Sequence, residues 1–312
     1  MSTARVPEHG ELPPPKLEEV SDGIFAYVQP DGSWGLNNTG VLMGSDTVTI
    51  IDSCFTERRT RAFHDAIRQV TDLPLRTLVN THHHGDHTHG NFVFLPAASI
   101  IAHEMCRKEV IDSGVAVTAF FPGVEWGQIR VAPPFVTFED RLNLYLDDLK
   151  VELIHMGPAH TTNDVIAWVP DRRVLFSGDI IFNESTPFGL HGAIAGWLEA
   201  LEAVRALGPE TIVPGHGPVC GPGVIDEVAA YLRFVQEGAR KGVEAGLSPL
   251  ETARQTDLGR FAVWHDTERL VGNLHRAYSE LRGEPWGTAL DPGDIGADII
   301  TYNGGRPLRC LA

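Results

Sequence analysis

The chain has 312 residues, 43% of them apolar and 21% charged, and a formal charge of −16 at neutral pH. Those proportions are ordinary for a globular protein of one large domain or two modest ones. The acidic balance excludes nucleic acid as the main partner, because phosphate binding needs a basic face; no run approaches the ~18 apolar residues of a membrane span.

Residues 1–18, with Pro13-Pro14-Pro15, read as a flexible arm. Met1 to Lys16 contains no apolar segment of the kind a secretory leader needs, so a cytoplasmic location is expected. From Gly23 the pattern becomes strand-like: Ile24 to Val28, Gly40 to Met43 and Val48 to Asp52, separated by Pro30-Asp31-Gly32 and Gly44-Ser45-Asp46. Glu57 to Val70 has helical spacing of Ala62, Phe63, Ile67 and Val70. A short strand, Thr77-Leu78-Val79, is followed by another, Ile100 to Ala102, and a helix from His103 to Asp112. Residues 113–134 are irregular. A second strand-rich block is expected from Phe135, with strands at Leu142–Leu146, Val151–Ile154, Val165–Val169 and Val174–Phe176. Helices over Trp197–Leu207, Val224–Ala245 and Glu268–Leu281 follow, with a short strand at Thr211–Val213 and a Gly- and Pro-punctuated tail. Strands and helices alternating in two blocks indicate a layered α/β fold. The four cysteines, Cys54, Cys106, Cys220 and Cys310, are scattered and define neither a disulfide framework nor a thiolate metal site.

The chemistry concentrates just after the strand at Thr77. Thr81-His82-His83-His84-Gly85-Asp86-His87 places four imidazoles and a carboxylate at a strand mouth. Burying such groups unpaired costs about 2–7 kcal/mol each by transfer data, and a divalent cation removes that cost by taking their lone pairs. Side chains at i and i+2 of an extended segment share a side, so His82 and His84 reach one ion together and His83 points away. Gly85 permits a turn that aims Asp86 and His87 at a second position. Three later positions share this setting, a ligand type after an apolar run and beside Gly: His160 in Gly157-Pro158-Ala159-His160, Asp179 after Ser177-Gly178, and His216 in Gly215-His216-Gly217.

With these residues in place, the sequence resembles the metallo-β-lactamase superfamily over roughly residues 20–220, with Asp52 as the first of its motifs. The resemblance implies an αββα sandwich; no composition shift cuts the chain, so one domain is expected, a catalytic core over 19–220 with a C-terminal helical extension, helices and tail over 221–312, packed on it. It implies a first metal held by His82, His84 and His160, a second by Asp86, His87 and His216, and Asp179 bridging both. Asp52 would orient the cluster loop without binding metal. Two divalent ions are implied, zinc by ligand type, with Mn or Fe compatible with the same His/Asp set. Asp at position 179, where dizinc β-lactamases often have Cys, is the pattern of glyoxalase-II-like and lactonase-like hydrolases.

A narrower resemblance runs nearly end to end. Asn37-Asn38-Thr39-Gly40, Gly157-Pro158-Ala159-His160-Thr161, Gly215-His216-Gly217-Pro218 and Tyr302-Asn303-Gly304-Gly305 are similar to the cyclases of this fold in bacterial aromatic polyketide pathways, of the actinorhodin type. That implies aldol ring closure and dehydration of a polyketide on an acyl carrier protein, with thioester hydrolysis as companion; a generic thioester or lactone hydrolase is the alternative. Asp86 is the expected proton acceptor. An apolar, aromatic pocket is expected from Trp34, Asn37, Phe121, Phe188 and Trp197, with His191 beside it. His83, His89, His103, His155, His265 and His275 are read as structural or surface residues.

Overall fold

The computed structural model describes residues 12–312. Most of the expected arm lies outside the described residues, but its last part does not stay free: β1 (Lys16–Ser21) pairs antiparallel with β2 (Ile24–Val28). Two-residue spacing across Asp22-Gly23, with Gly23 at φ +69°, makes that hairpin, and pairing satisfies backbone groups that a loose arm would leave to water.

β3 (Thr39–Met43) and β4 (Val48–Ile51) extend the meander. α1 (Glu57–Val70) then crosses over to β5 (Leu75–Val79), parallel to β4. Thr56 caps α1 by accepting from Arg59 N, and Phe63 and Ile67, one turn apart, bury its inner face. A single turn, α2 (Gly85–Thr88), leads on to β6 (Ser99–His103) and α3 (Glu104–Ser113). β7 (Val136–Phe138) completes a seven-stranded sheet in the order β1 to β7. The strand next to Phe135 therefore closes the first sheet, correcting the expectation that it opens the second.

The second sheet contains β8 (Arg141–Leu146), β9 (Leu149–His155), β10 (Val165–Val169), β11 (Val174–Phe182) and β12 (Thr211–His216). α4 (Ile194–Leu207) is the crossover that lets β12 run parallel to β11. α5 (Val224–Glu244), α6 (Pro249–Gln255), α7 (Arg269–Leu281) and α8 (Pro292–Tyr302) follow. α6 and α8 interrupt what reads in sequence as loop and punctuated tail; each starts with Pro at a position whose N–H needs no partner, after a Ser or Asp cap.

Period-two alternation sorts the strands into layers. On β10, Val165, Ala167 and Val169 face the other sheet and pack with Ile24, Leu42 and Ile51, whereas Ile166 and Trp168 face outward onto α4 and α5. On the first sheet Val41, Val48 and Ile50 face α1. The result is an αββα sandwich. Leu270, Val271 and Leu274 of α7 bury themselves in the same outer cluster as Leu201 of α4 and Leu232 of α5. Among the described residues no helix is long and apolar enough to cross a membrane.

Candidate metal centre

The strands of both sheets end toward one edge, and the seven ligand candidates sit there. His82, His84, His160 and Asp179 present ligand atoms all within 4.8 Å of one another, and so do Asp86, His87 and His216. Asp179 connects the two sets. Its Oδ2 lies 3.4 Å from His160 Nε2, 3.9 Å from His82 Nε2 and 3.5 Å from His216 Nε2, and its Oδ1 lies 3.2 Å from His87 Nε2. Asp86 Oδ2 is 3.3 Å from His216 Nε2.

Backbone geometry brings Asp179 inward. β11 is longer than expected and carries Asp179 within the strand, after Gly178 at φ +48°. A Cβ on Gly178 would sit 2.7 Å from Thr81, and one on Gly215 would collide with Asp179 Oδ1. Glycine at both positions lets three chain segments meet at the carboxylate.

The outward nitrogens of four ligand rings are held as well. Asp52 accepts from Thr81 N and Thr81 Oγ1, both at 2.7 Å, and from His87 Nδ1 at 2.8 Å. Thr81 Oγ1 in turn lies 3.1 Å from His82 Nδ1. His216 Nδ1 donates to Gly32 O at 3.1 Å, and His84 Nε2 pairs with His191 Nδ1 at 2.8 Å. Asp52 holds a left-handed backbone, φ +60°, a strain of about 1 kcal/mol or more that its three bonds offset.

Three of the inward atoms have no such partner. His82 Nε2, His87 Nε2 and Asp179 Oδ1 are buried without a hydrogen bond among the described residues. Buried polar atoms in native proteins are normally satisfied, so orphans converging on one point fit a cation that takes their lone pairs. Charge agrees. Burial would raise the Asp179 carboxyl, but the His216, His87 and His160 rings opposite hold it well below the usual carboxylate range. Burial likewise opposes protonation of His87, yet Asp179, Asp52 and Asp86 push its pKa well above an ordinary imidazole's. His82 and His84 are driven well below theirs by burial and neighbouring imidazoles. The carboxylates favour positive charge beside His87 and His216, while His82 and His84 are left neutral, the form in which an imidazole ligates a metal.

The nest opens into an apolar cavity of about 300 Å³. Trp34, Phe121, Phe188 and His191 line it, as expected from sequence. Trp34 is clamped between Phe121 and Phe188, ring centroids 5.8 and 5.1 Å away, and its Nε1 donates to Glu268 at 2.8 Å. Two expectations are corrected. Asn37 is fully buried and joins the sheets, donating to Ser53 O at 2.9 Å and pairing by its backbone with His216; it does not reach the cavity. Trp197 is also fully buried: α4 turns it inward, its Nε1 donates to Ile180 O at 2.9 Å, and its ring packs 5.4 Å from that of His160. Trp197→Ala is therefore expected to cost about 3–5 kcal/mol of stability, measured by urea unfolding; a loss under 1 kcal/mol would contradict the packing role.

Sequence reasoning passed over the far wall. Ile295 and Ile299 of α8 face the cavity, and Arg269 of α7 lies beside it with its guanidinium 4.0 Å from the Trp34 ring centroid. Arg269 donates to Thr186 O at 2.8 Å and pairs with Asp266 at 2.8 Å. A signal existed: Arg269 and Arg276 are seven residues apart, hence on one helix face, among the apolar Leu270, Leu274 and Ala277. Charges there must be internal.

Two stacked sheets between helix layers, opening at one edge on adjoining His/Asp sets, define a metal-dependent hydrolase class. The chain belongs to the metallo-β-lactamase superfamily, whose family model matches residues 32–216. The match ends at His216, so α5 to α8 lie beyond it. The Bacteroides fragilis metallo-β-lactamase type 2 is 22% identical over 236 residues, covering 72% of this chain and 88% of that protein. The linear primary-alkylsulfatase of Pseudomonas sp. (strain ATCC 19151) is 23% identical over 254 residues, or 67% of this chain, which spans about half of that protein's length, 48%. The solved metallo-β-lactamase from Pontibacter korlensis is similar in fold, with TM-score 0.60 and 16% identity over 70% of this chain and 99% of that one.

Proposed function

We propose that the protein is a dinuclear-metal cyclase acting on an aromatic polyketide carried by an acyl carrier protein. It closes a ring by intramolecular aldol attack with loss of water, and releases product by thioester hydrolysis. The observation that supports this reading is the cavity: flat aromatic walls from Trp34, Phe121 and Phe188 stand directly over the His/Asp nest, which suits a planar polycycle brought to a polar reaction centre.

His82, His84 and His160 would hold one ion, Asp86, His87 and His216 the other, and Asp179 would touch both. Two zinc ions, when bound there, supply Lewis acidity toward a ketone or thioester carbonyl and lower the pKa of water toward about 7. The chain's own side chains do the rest. Asp86 is the more open of the two carboxylates, its side chain 16% exposed against 4% for Asp179, and it lines the cavity. It takes the proton from the carbon between two carbonyls. The resulting enolate carbon bonds to the facing ketone carbon, and the alcohol so formed leaves as water to give the aromatic ring. For release, water adds to the thioester carbonyl, the C–S bond breaks, and the thiol leaves on the carrier. The apolar walls keep bulk water from the enolate.

A second reading, hydrolysis of a thioester or lactone without ring closure, is favoured by the relatives, which are a β-lactamase and an alkylsulfatase by description. Mass spectrometry of products from a bicyclic thioester mimic separates the two. Cyclised product is expected from the parent protein and its loss from His84→Ala. Linear acid alone would establish the second reading, and undiminished cyclisation by His84→Ala would remove the nest from the mechanism.

A further inference from the structure

His83 lies between His82 and His84 in sequence and His191 lies in the segment after β11; neither belongs to the two ligand sets of the nest, although His83, His84 and His191 bring nitrogens within 4.8 Å of one another. Both line the cavity, with ring centroids 5.6 Å apart. The hydrogen bonds around them determine which ring nitrogen of each bears the proton.

The His191 tautomer is set by His84. His84 turns Nδ1 inward, 2.9 Å from His160 Nε2, so Nδ1 must offer a lone pair to a cation. The proton of His84 is then on Nε2, which donates to His191 Nδ1 at 2.8 Å. With Nδ1 accepting, a neutral His191 has its own proton on Nε2.

The His83 tautomer is set by Asn163. The backbone N–H of His83 donates to Asn163 Oδ1 at 3.1 Å, which leaves the amide nitrogen of Asn163 facing His83 Nδ1 at 3.0 Å. Amide nitrogen only donates, so His83 Nδ1 accepts and its proton too is on Nε2. Neither Nε2 has a hydrogen-bond partner among the described residues.

We propose that His83 and His191 are a pair of substrate-binding donors, each presenting Nε2–H to the cavity, that together hold an oxygen of the substrate (ketone, thioester carbonyl or enolate) beside the metal centre. Donors preset in this way stabilise developing negative charge on oxygen without reorganising. The pair discriminates in favour of oxygenated aromatics over hydrocarbons of equal shape. It deepens the cyclase reading and rests on it for the substrate class.

The test uses zinc-loaded full-length protein and two probes of one shape, anthraquinone-2-sulfonate and anthracene-2-sulfonate, with binding read from tryptophan fluorescence. Asn keeps an acceptor where Nδ1 was but has no group at the Nε2 position. His83→Asn and His191→Asn are each expected to retain two metals and the parent melting temperature. Each should bind the quinone about five- to tenfold more weakly and the anthracene as before. Nitrogen NMR of the histidines, read without any probe, should show Nδ1 unprotonated and Nε2 protonated in both rings. Equal quinone affinity in parent and variants, or a proton on Nδ1 of either ring, would overturn the proposal. Failure of the parent to bind either probe counts instead against the aromatic-substrate reading; the NMR tautomers then decide the donor pair alone.

Discussion

Asp179→Ala is expected to leave less than one metal ion per chain and to lower turnover by about 100- to 1000-fold, while the protein still folds. Among the ligand candidates Asp179 spans both sets, with Oδ2 at 3.4 Å from His160 Nε2 and Oδ1 at 3.2 Å from His87 Nε2. It is also one of only two carboxylates set against five imidazoles there. At an effective dielectric of about 20, a unit charge 4 Å away contributes about 4 kcal/mol, so losing one carboxylate weakens the hold on both ions together. The fold is expected to survive because the apolar layers, not the nest, hold the sheets together: Val165, Ala167 and Phe176 pack between them irrespective of Asp179. Metal analysis by atomic emission, beside circular dichroism, decides the matter. Two ions per chain and undiminished turnover in the variant would place the centre elsewhere.

Asp52→Asn is expected to be nearly as damaging, although Asp52 faces away from the ions. Its carboxylate accepts three hydrogen bonds, from Thr81 N, Thr81 Oγ1 and His87 Nδ1. An amide of the same shape has one accepting oxygen, and its nitrogen can only donate. If the nitrogen takes the Oδ2 position, it confronts His87 Nδ1–H. Relief requires the His87 proton to move to Nε2, and the ring then has no inward lone pair. If the nitrogen takes the other position, it confronts the Thr81 N–H. Metal affinity should fall about 10- to 100-fold, and stability by about 3 kcal/mol. Thr81→Val, which removes only the hydroxyl, should lose much less of both. Chelator competition and urea unfolding of the two variants provide the comparison; an Asp52→Asn protein that binds zinc like its parent would contradict the tautomer argument.

The ligand candidates were legible in the sequence because each sits in a short local motif. His82-x-His84-x-Asp86-His87 declares its spacing within six residues, and Gly178-Asp179 and Gly215-His216 pair the ligand with the residue that lets it approach. The layered fold was legible for a similar reason, since alternation along β10 and the helical stripe of α1 are properties of single segments. The cavity was only partly legible. Phe188 and Trp197 look alike as aromatic residues after Asp179. The start of α4 at Ile194 separates them, leaving Phe188 in the loop over the nest and turning Trp197 beneath His160. Asn37 sits near Trp34 in one loop, but pairing with His216 draws it between the sheets.

Taken alone, the sequence determined the layers and the seven inward side chains, because hydrophobic period and ligand spacing are written within a few residues of each element. Tertiary structure alone decided the far wall of the cavity and the protons of His83 and His191. Those depend on which surfaces meet: α8 against the loop after α3, Asn163 against His83, and His191 against His84. Contacts between distant segments follow from packing all the layers at once, and no local pattern encodes them.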